Sequence, residues 1–299
     1  AVATATTALN VDATLAANAL SITGNAGVNT LTGSIHADTL DGGAGNDVLV
    51  GGLGNDNLIG GAGIDTASYV SATEALTLSL AVLTGQSAGS LGTDTFSGIE
   101  NLTTGSGNDS LTGDATANTL DGGAGDDTLD GGAGNDVLIG GLGVDTASYA
   151  SASAAVTVSL ALATAQNTGT ASGTDTLTTI ENLTGSAFGD VLTGSATANR
   201  IEGGAGNDTI TGAAGADAVY GGTGDDLFVV SLAADLAAGE VIDGEAGTDE
   251  LRFTSTAAST LALTAGTSVE RVVIGTGTAA LAVATATTAL NVDATLAAN

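Results

Sequence analysis

A nine-residue unit with paired glycines, a sixth-place aspartate and an aliphatic eighth residue recurs through most of this chain, and it leaves few folds open. Residues 42–50 read GGAGNDVLV, 51–59 GGLGNDNLI and 60–68 GGAGIDTAS. The series returns at 122–130 (GGAGDDTLD), 131–139 (GGAGNDVLI) and 140–148 (GGLGVDTAS), then at 203–211 (GGAGNDTIT) and 221–229 (GGTGDDLFV). These eight copies keep the full GGxGxD core. Weaker copies hold the register at 24–32, 33–41, 113–121, 185–193, 194–202, 212–220 and 244–252. Self-similarity at a fixed short period is the mark of a stacked repeat architecture.

Each place in the unit has a physical task. Glycine permits backbone angles and close approach that a Cβ forbids. The sixth-place Asp brings a carboxylate to a turn where carbonyls also converge, and hard oxygen donors of that kind suit Ca²⁺. The eighth place is Leu40, Leu49, Leu58, Leu120, Leu129, Leu138, Leu192, Ile201, Ile210, Val219 and Phe228, which a short strand would point inward as a ladder.

Composition points the same way. There are 33 acidic residues against three Arg (Arg200, Arg252, Arg271) and no Lys, for a net charge of −30. A compact fold with that self-repulsion needs cations. Nucleic acid is excluded as a partner, because a phosphate backbone is held by Lys and Arg, and an anionic membrane surface is excluded likewise. The absence of Cys removes disulfides and thiolate metal sites. The absence of Pro suits an unbroken hydrogen-bonded ladder. Aromatics at 2% leave a thin, aliphatic core, and no apolar run is long enough to insert into a bilayer.

These repeats resemble the RTX family, the GGxGxDxUx nonapeptide proteins. The resemblance implies an all-β fold, a parallel β-roll or β-helix solenoid with two nonapeptides per coil. It also implies Ca²⁺ held between turns stacked two nonapeptides apart. That spacing pairs Asp38 with Asp56, Asp47 with Asp65, Asp109 with Asp127, Asp127 with Asp145, Asp190 with Asp208 and Asp208 with Asp226. Asp136, Asp217 and Asp249 complete the candidate metal ligands, the last two in degenerate turns. Asn29, Asn118 and Asn199 put an amide in the sixth place, where a site should be weaker or absent.

The organisation then reads as metal-free coils over 1–23, calcium tracts over 24–68, 105–148 and 185–252, spacer coils over 69–104 and 149–184, and metal-free coils over 253–281. The spacers are duplicates: 65–80 matches 145–160, and GTDTFSGIENL at 92–102 matches GTDTLTTIENL at 173–183. Leu76, Leu78, Leu80 and Val82, like Val156, Val158, Leu160 and Leu162, alternate with small or polar residues as in strands. These segments read as wider coils continuing the solenoid, with an inserted small sandwich domain as the alternative. Residues 282–299 repeat residues 1–18 without a change, so the sequence reads as one period of a tandem array and the start of the next copy.

Catalytic readings fail. Gly85 to Gly89 fits GxSxG but lacks a strand-to-helix elbow, and His36 is the one histidine, in a repeat turn. Tyr69 and Tyr149 share one context and read as packing at the end of the roll. The expectation is a non-enzymatic, secreted protein that folds on binding Ca²⁺ outside the cell, at about 10⁻⁴–10⁻³ M. It would build a filament, stalk or surface coat from copies of itself. The alternatives are a ligand-binding adhesin and a folding or export module of a larger secreted enzyme.

Overall fold

Strands of two to six residues, most of them apolar at the centre and bounded by glycine turns, can bury a side chain only by stacking on a copy of themselves. In the computed structural model of the chain they do so. Residues 6–82, 84–232, 235–236, 238–254, 259–263, 267–274 and 290–293 are described. The chain divides into two compact units, Ala1–Asp145 and Thr146–Asn299.

In the first unit, alternate nonapeptides feed opposite parallel sheets. One sheet stacks Val11–Asp12, Thr30–Thr32, Val48–Val50, Thr66–Ser68, Asn101–Thr103, Thr119–Ala124 and Val137–Leu142. The facing side stacks Ser21–Thr23, Thr39–Ala44, Asn57–Ala62 and Thr93–Ser97, and separately Thr77–Ser79, Ser110–Thr112 and Thr128–Asp130. Within the tracts the partners are eighteen residues apart, as Leu31 with Leu49 and Leu40 with Leu58. Two nonapeptides therefore make one coil of a parallel β-roll. The second unit repeats the plan, with Ala147–Leu183–Ile201–Val219–Ile242 on one sheet and Val158–Leu192–Ile210–Phe228–Leu251 on the other.

All eleven eighth-place residues are at most 2% exposed. Burying each such side chain stabilises the fold by about 1.5–3 kcal/mol, so the two facing ladders form the core. The second place of the GGxGxD turns has φ between 81 and 112° in Gly43, Gly52, Gly61, Gly123, Gly132, Gly141, Gly204 and Gly222. In the degenerate turns Ala213 (φ 72°) and Glu245 (φ 63°) take up the same left-handed geometry, at a cost of about 1–2 kcal/mol each.

The spacers depart from simple coils. After Thr66–Ser68 the chain crosses to Thr77–Ser79, which founds a new ladder under Leu111. It then doubles back through Gln86–Ser87, antiparallel to Thr93–Ser97, and the latter closes the earlier ladder on Leu58 with Phe96. The Gln86 amide bridges the gap: Nε2 donates to the Ser79 carbonyl at 2.7 Å and Oε1 accepts the Ser79 N–H. Gln166 does the same for Ser159. A side-chain amide thus gives an exposed strand edge the pairing a neighbouring strand would supply. The expected alternation holds through Leu80, but Val82 and Leu162 are exposed because the chain leaves the core there. Of the terminal segments, residues 1–5, 275–289 and 294–299 lie outside the described residues.

Candidate metal centre

The turns stack as the strands do. The carbonyl of each second- and fourth-place residue abuts the corresponding glycine one coil on: Gly43 O lies against Gly61, Gly45 O against Gly63, Gly123 O against Gly141 and Gly204 O against Gly222. A Cβ would fill each of these contacts. Main-chain oxygens therefore line the turn region in rows.

The sixth-place aspartates lie among them. All thirteen candidates are at most 2% exposed. Each carboxylate reaches back one coil, its Oδ1 accepting an N–H from the residue in the equivalent place. Asp38 N donates to Asp56 at 2.7 Å, Asp47 N to Asp65 at 2.7 Å and Asp109 N to Asp127 at 2.7 Å. Asp127 N donates to Asp145 at 2.8 Å, Asp190 N to Asp208 at 2.7 Å and Asp208 N to Asp226 at 2.8 Å. The six pairs inferred from spacing are thus brought together. Asp136 accepts from Asn118 N, Asp217 from Asn199 N and Asp249 from Asp226 N, each at 2.9 Å.

The other carboxylate oxygen has no donor in many of these turns. Oδ2 of Asp47, Asp56, Asp65, Asp109, Asp127, Asp208, Asp217 and Asp226 is buried without a hydrogen-bond partner. In the turns begun by Gly42, Gly203 and Gly221 it faces that first-place glycine, where the carbonyl of the next coil's first glycine also arrives, as with Asp208 Oδ2 and Gly221 O at Gly203. Two acceptors meet there with no hydrogen between them. A buried acceptor left unmade costs about 1–3 kcal/mol, and more when charged.

The titration behaviour follows. Burial first, and neighbouring carboxylates second, push Asp56, Asp127 and Asp226 up to about 6 and Asp208 to about 7. Burial likewise raises Asp47, Asp65, Asp109, Asp217 and Asp249.

The ladder also uses carboxylates that nonapeptide spacing misses. Asp94 accepts the Asp56 N–H at 2.8 Å, and Glu100 accepts that of Asp65 at 2.8 Å. Glu240 takes the Asp217 N–H and Glu270 that of Asp249. The duplicated GTDT and IENL strings of the spacers carried the signal for the first two. Tyr69 packs, as expected, against Phe96, which closes the ladder on Leu58. It is buried inside the spacer, its hydroxyl donating to Asp94 Oδ2 at 2.7 Å and its ring tilted against Phe96.

Among the described residues no three His, Cys, Asp or Glu side chains converge on one point. A cation here would be held by one or two carboxylates together with main-chain carbonyls. That all-oxygen set fits a large, hard divalent ion that tolerates variable geometry. The family model described as RTX calcium-binding nonapeptide repeat (4 copies) matches residues 21–49, 32–67, 94–129, 112–147 and 193–228. The chain carries RTX calcium-binding repeats. Its cofactor is calcium, and an ion held at the RTX turns would supply positive charge to the orphaned carboxylate oxygens. Asp190 and Asp249 lie outside the matched stretches, although their turns stack with the RTX turns beside them. A search of curated proteins finds no match. No described helix is long and apolar enough to cross a membrane.

Proposed function

We propose that this chain is a structural, calcium-dependent extracellular repeat protein without catalytic activity. Its RTX turns would fold on meeting calcium after secretion, and its tandem copies would join into a filament, stalk or surface coat. RTX repeats are typical of secreted proteins, which supports the location. The carrying observation concerns the string LNVD, present at residues 9–12 and 290–293. In the first unit Val11–Asp12 pairs in parallel with Thr30–Thr32, the strand that follows it in the stack. In the second unit Leu290–Asp293 pairs in parallel with Ser259–Ala262, the strand that precedes it. One sequence thus pairs with a later strand at its first occurrence and with an earlier strand at its second.

Both pairings made at once would carry the ladder from one copy into the next and leave no exposed edge at the junction. Hydrogen–deuterium exchange in a chain of two full periods tests this. The Leu290–Asp293 amides should exchange at least about tenfold more slowly there than in the single-period chain, both with calcium. Equal exchange in the two chains would mean that the copies are separate bodies on a linker.

A further inference from the structure

The sixth-place side chains fall into two chemical classes, and the residue in the second place separates them. In the GGxGxD turns that residue is glycine with positive φ, and the carboxylate Oδ2 of Asp47, Asp56, Asp65, Asp127, Asp208 and Asp226 is left without a donor; Asp109 and Asp217 are open likewise, with Gly105 and Ala213 in the second place. In five other turns it is Asn25, Ser34, Asp114, Ser186 or Ser195. There its side chain accepts the N–H two residues on: Gly27 N to Asn25 at 2.7 Å, His36 N to Ser34 at 3.1 Å, Thr116 N to Asp114 at 2.7 Å, Phe188 N to Ser186 at 3.1 Å and Thr197 N to Ser195 at 3.2 Å. Such Asx and Ser turns are an alternative to the glycine geometry.

The second-place N–H is thereby aimed at the sixth-place side chain. Ser34 N donates to Asp38 Oδ2 at 2.6 Å and Ser186 N to Asp190 Oδ2 at 2.5 Å. Asn25 N, Asp114 N and Ser195 N donate to the side-chain oxygens of Asn29, Asn118 and Asn199 at 2.8, 2.7 and 2.6 Å. The amide then supplies a donor that no carboxylate has. Nδ2 of Asn118 bonds the Glu100 carbonyl at 2.8 Å, and that of Asn199 bonds the Glu181 carbonyl at 2.7 Å. The spacers use a third device. Asp94 Oδ2 is closed by the Tyr69 hydroxyl, and Asp175 Oδ2 by the hydroxyls of Tyr149 at 3.2 Å and Thr168 at 2.9 Å.

We propose that the stack alternates open rungs, which take calcium, with closed rungs, in which a backbone N–H, an asparagine amide or a tyrosine hydroxyl stands in the cation's place and no calcium binds. Asp38 and Asp190 are closed despite their sixth-place position, and Tyr69–Asp94 and Tyr149–Asp175 are the metal-free rungs of the spacers. This rests on the calcium reading of the open turns. The closed turns at 24–38 and 185–199 precede open turns in sequence, so each of those tracts starts on a platform that needs no metal.

The test counts calcium bound to the full chain by equilibrium dialysis, with circular dichroism reporting the fold. The variants are Asp38→Asn, Asp190→Asn, Asp127→Asn and Asp208→Asn. Asparagine already occupies this place at three rungs, so it fits the turn. Asp38→Asn and Asp190→Asn should keep the wild-type count, and Asp127→Asn and Asp208→Asn should each lose about one ion or more. Tyr69→Phe, which strips Asp94 of its donor, should gain about one. Loss of an ion in Asp38→Asn or Asp190→Asn overturns the assignment of closed turns. An unchanged count in Tyr69→Phe overturns that of the spacers. A wild-type chain that binds no calcium would instead defeat the underlying reading.

Discussion

With calcium chelated, acidification from about pH 7.5 to about pH 5 is expected to restore much of the strand signal that chelation removes. In the metal-free fold Asp56, Asp127 and Asp226 are raised to about 6 and Asp208 and Glu240 to about 7, by burial first. An unfolded chain holds the same groups near about 4. Between those values the folded state binds protons that the unfolded state releases, so the stability of the metal-free fold falls as pH rises. The proton-linked stability is fully present below about pH 4 and is gone above about pH 7. Each such carboxylate contributes on the order of 1–2 kcal/mol after allowance for solvent screening. Several together match the marginal stability of a whole domain.

Acid also lowers the net charge of −30, which would help any compact state. Added sodium chloride at about pH 7.5 separates the two effects, because it screens repulsion without protonating the turns. Circular dichroism in chelator should show recovery with acid well beyond that with salt. Equal recovery would place the penalty in diffuse repulsion rather than in the buried carboxylates.

Gly203→Ala is expected to lower stability and calcium binding together. A Cβ at Gly203 would overlap both Asp208 Oδ2 and the Gly221 carbonyl, the two oxygens that the proposal assigns to one cation. Neither can retreat, since Asp208 Oδ1 holds the Asp190 N–H and the carbonyl belongs to a stacked turn. Overpacking of this kind costs about 1–3 kcal/mol, and the displaced carboxylate loses its calcium besides. Gly85→Ala is the control. Its Cβ would meet only the Thr93 methyl, at 2.8 Å, on an exposed side chain with room to turn outward. Urea denaturation in saturating calcium should show a clear loss for Gly203→Ala and little change for Gly85→Ala. Equal midpoints would mean that the turn is not packed around those oxygens.

The repeat made the core legible. Strict spacing placed Leu40 against Leu58, Leu120 against Leu138 and Ile201 against Val219, because a coil of two nonapeptides returns each eighth residue to the same face. The Asp pairs were legible for the same reason. Asp94 and Glu100 were not. They enter the ladder 38 and 35 residues after their partners, since the spacer starts a new ladder before closing the old one. No periodicity predicts that detour. Gln86 was equally hidden, because its task is to mimic a peptide group across a gap that exists only once both ladders are built. The difference between Asp38 and Asp47 was present in the letters Ser34 and Gly43. It became readable only with the direction of one N–H.

The most direct measurement is a calcium titration of the full chain from chelator upward at about pH 7.5, followed by circular dichroism and sedimentation velocity. Calcium should bring a cooperative gain of strand signal with compaction, its midpoint at about 10⁻⁴–10⁻³ M. A chain already compact and strand-rich in chelator, and unchanged as calcium is added, would contradict it.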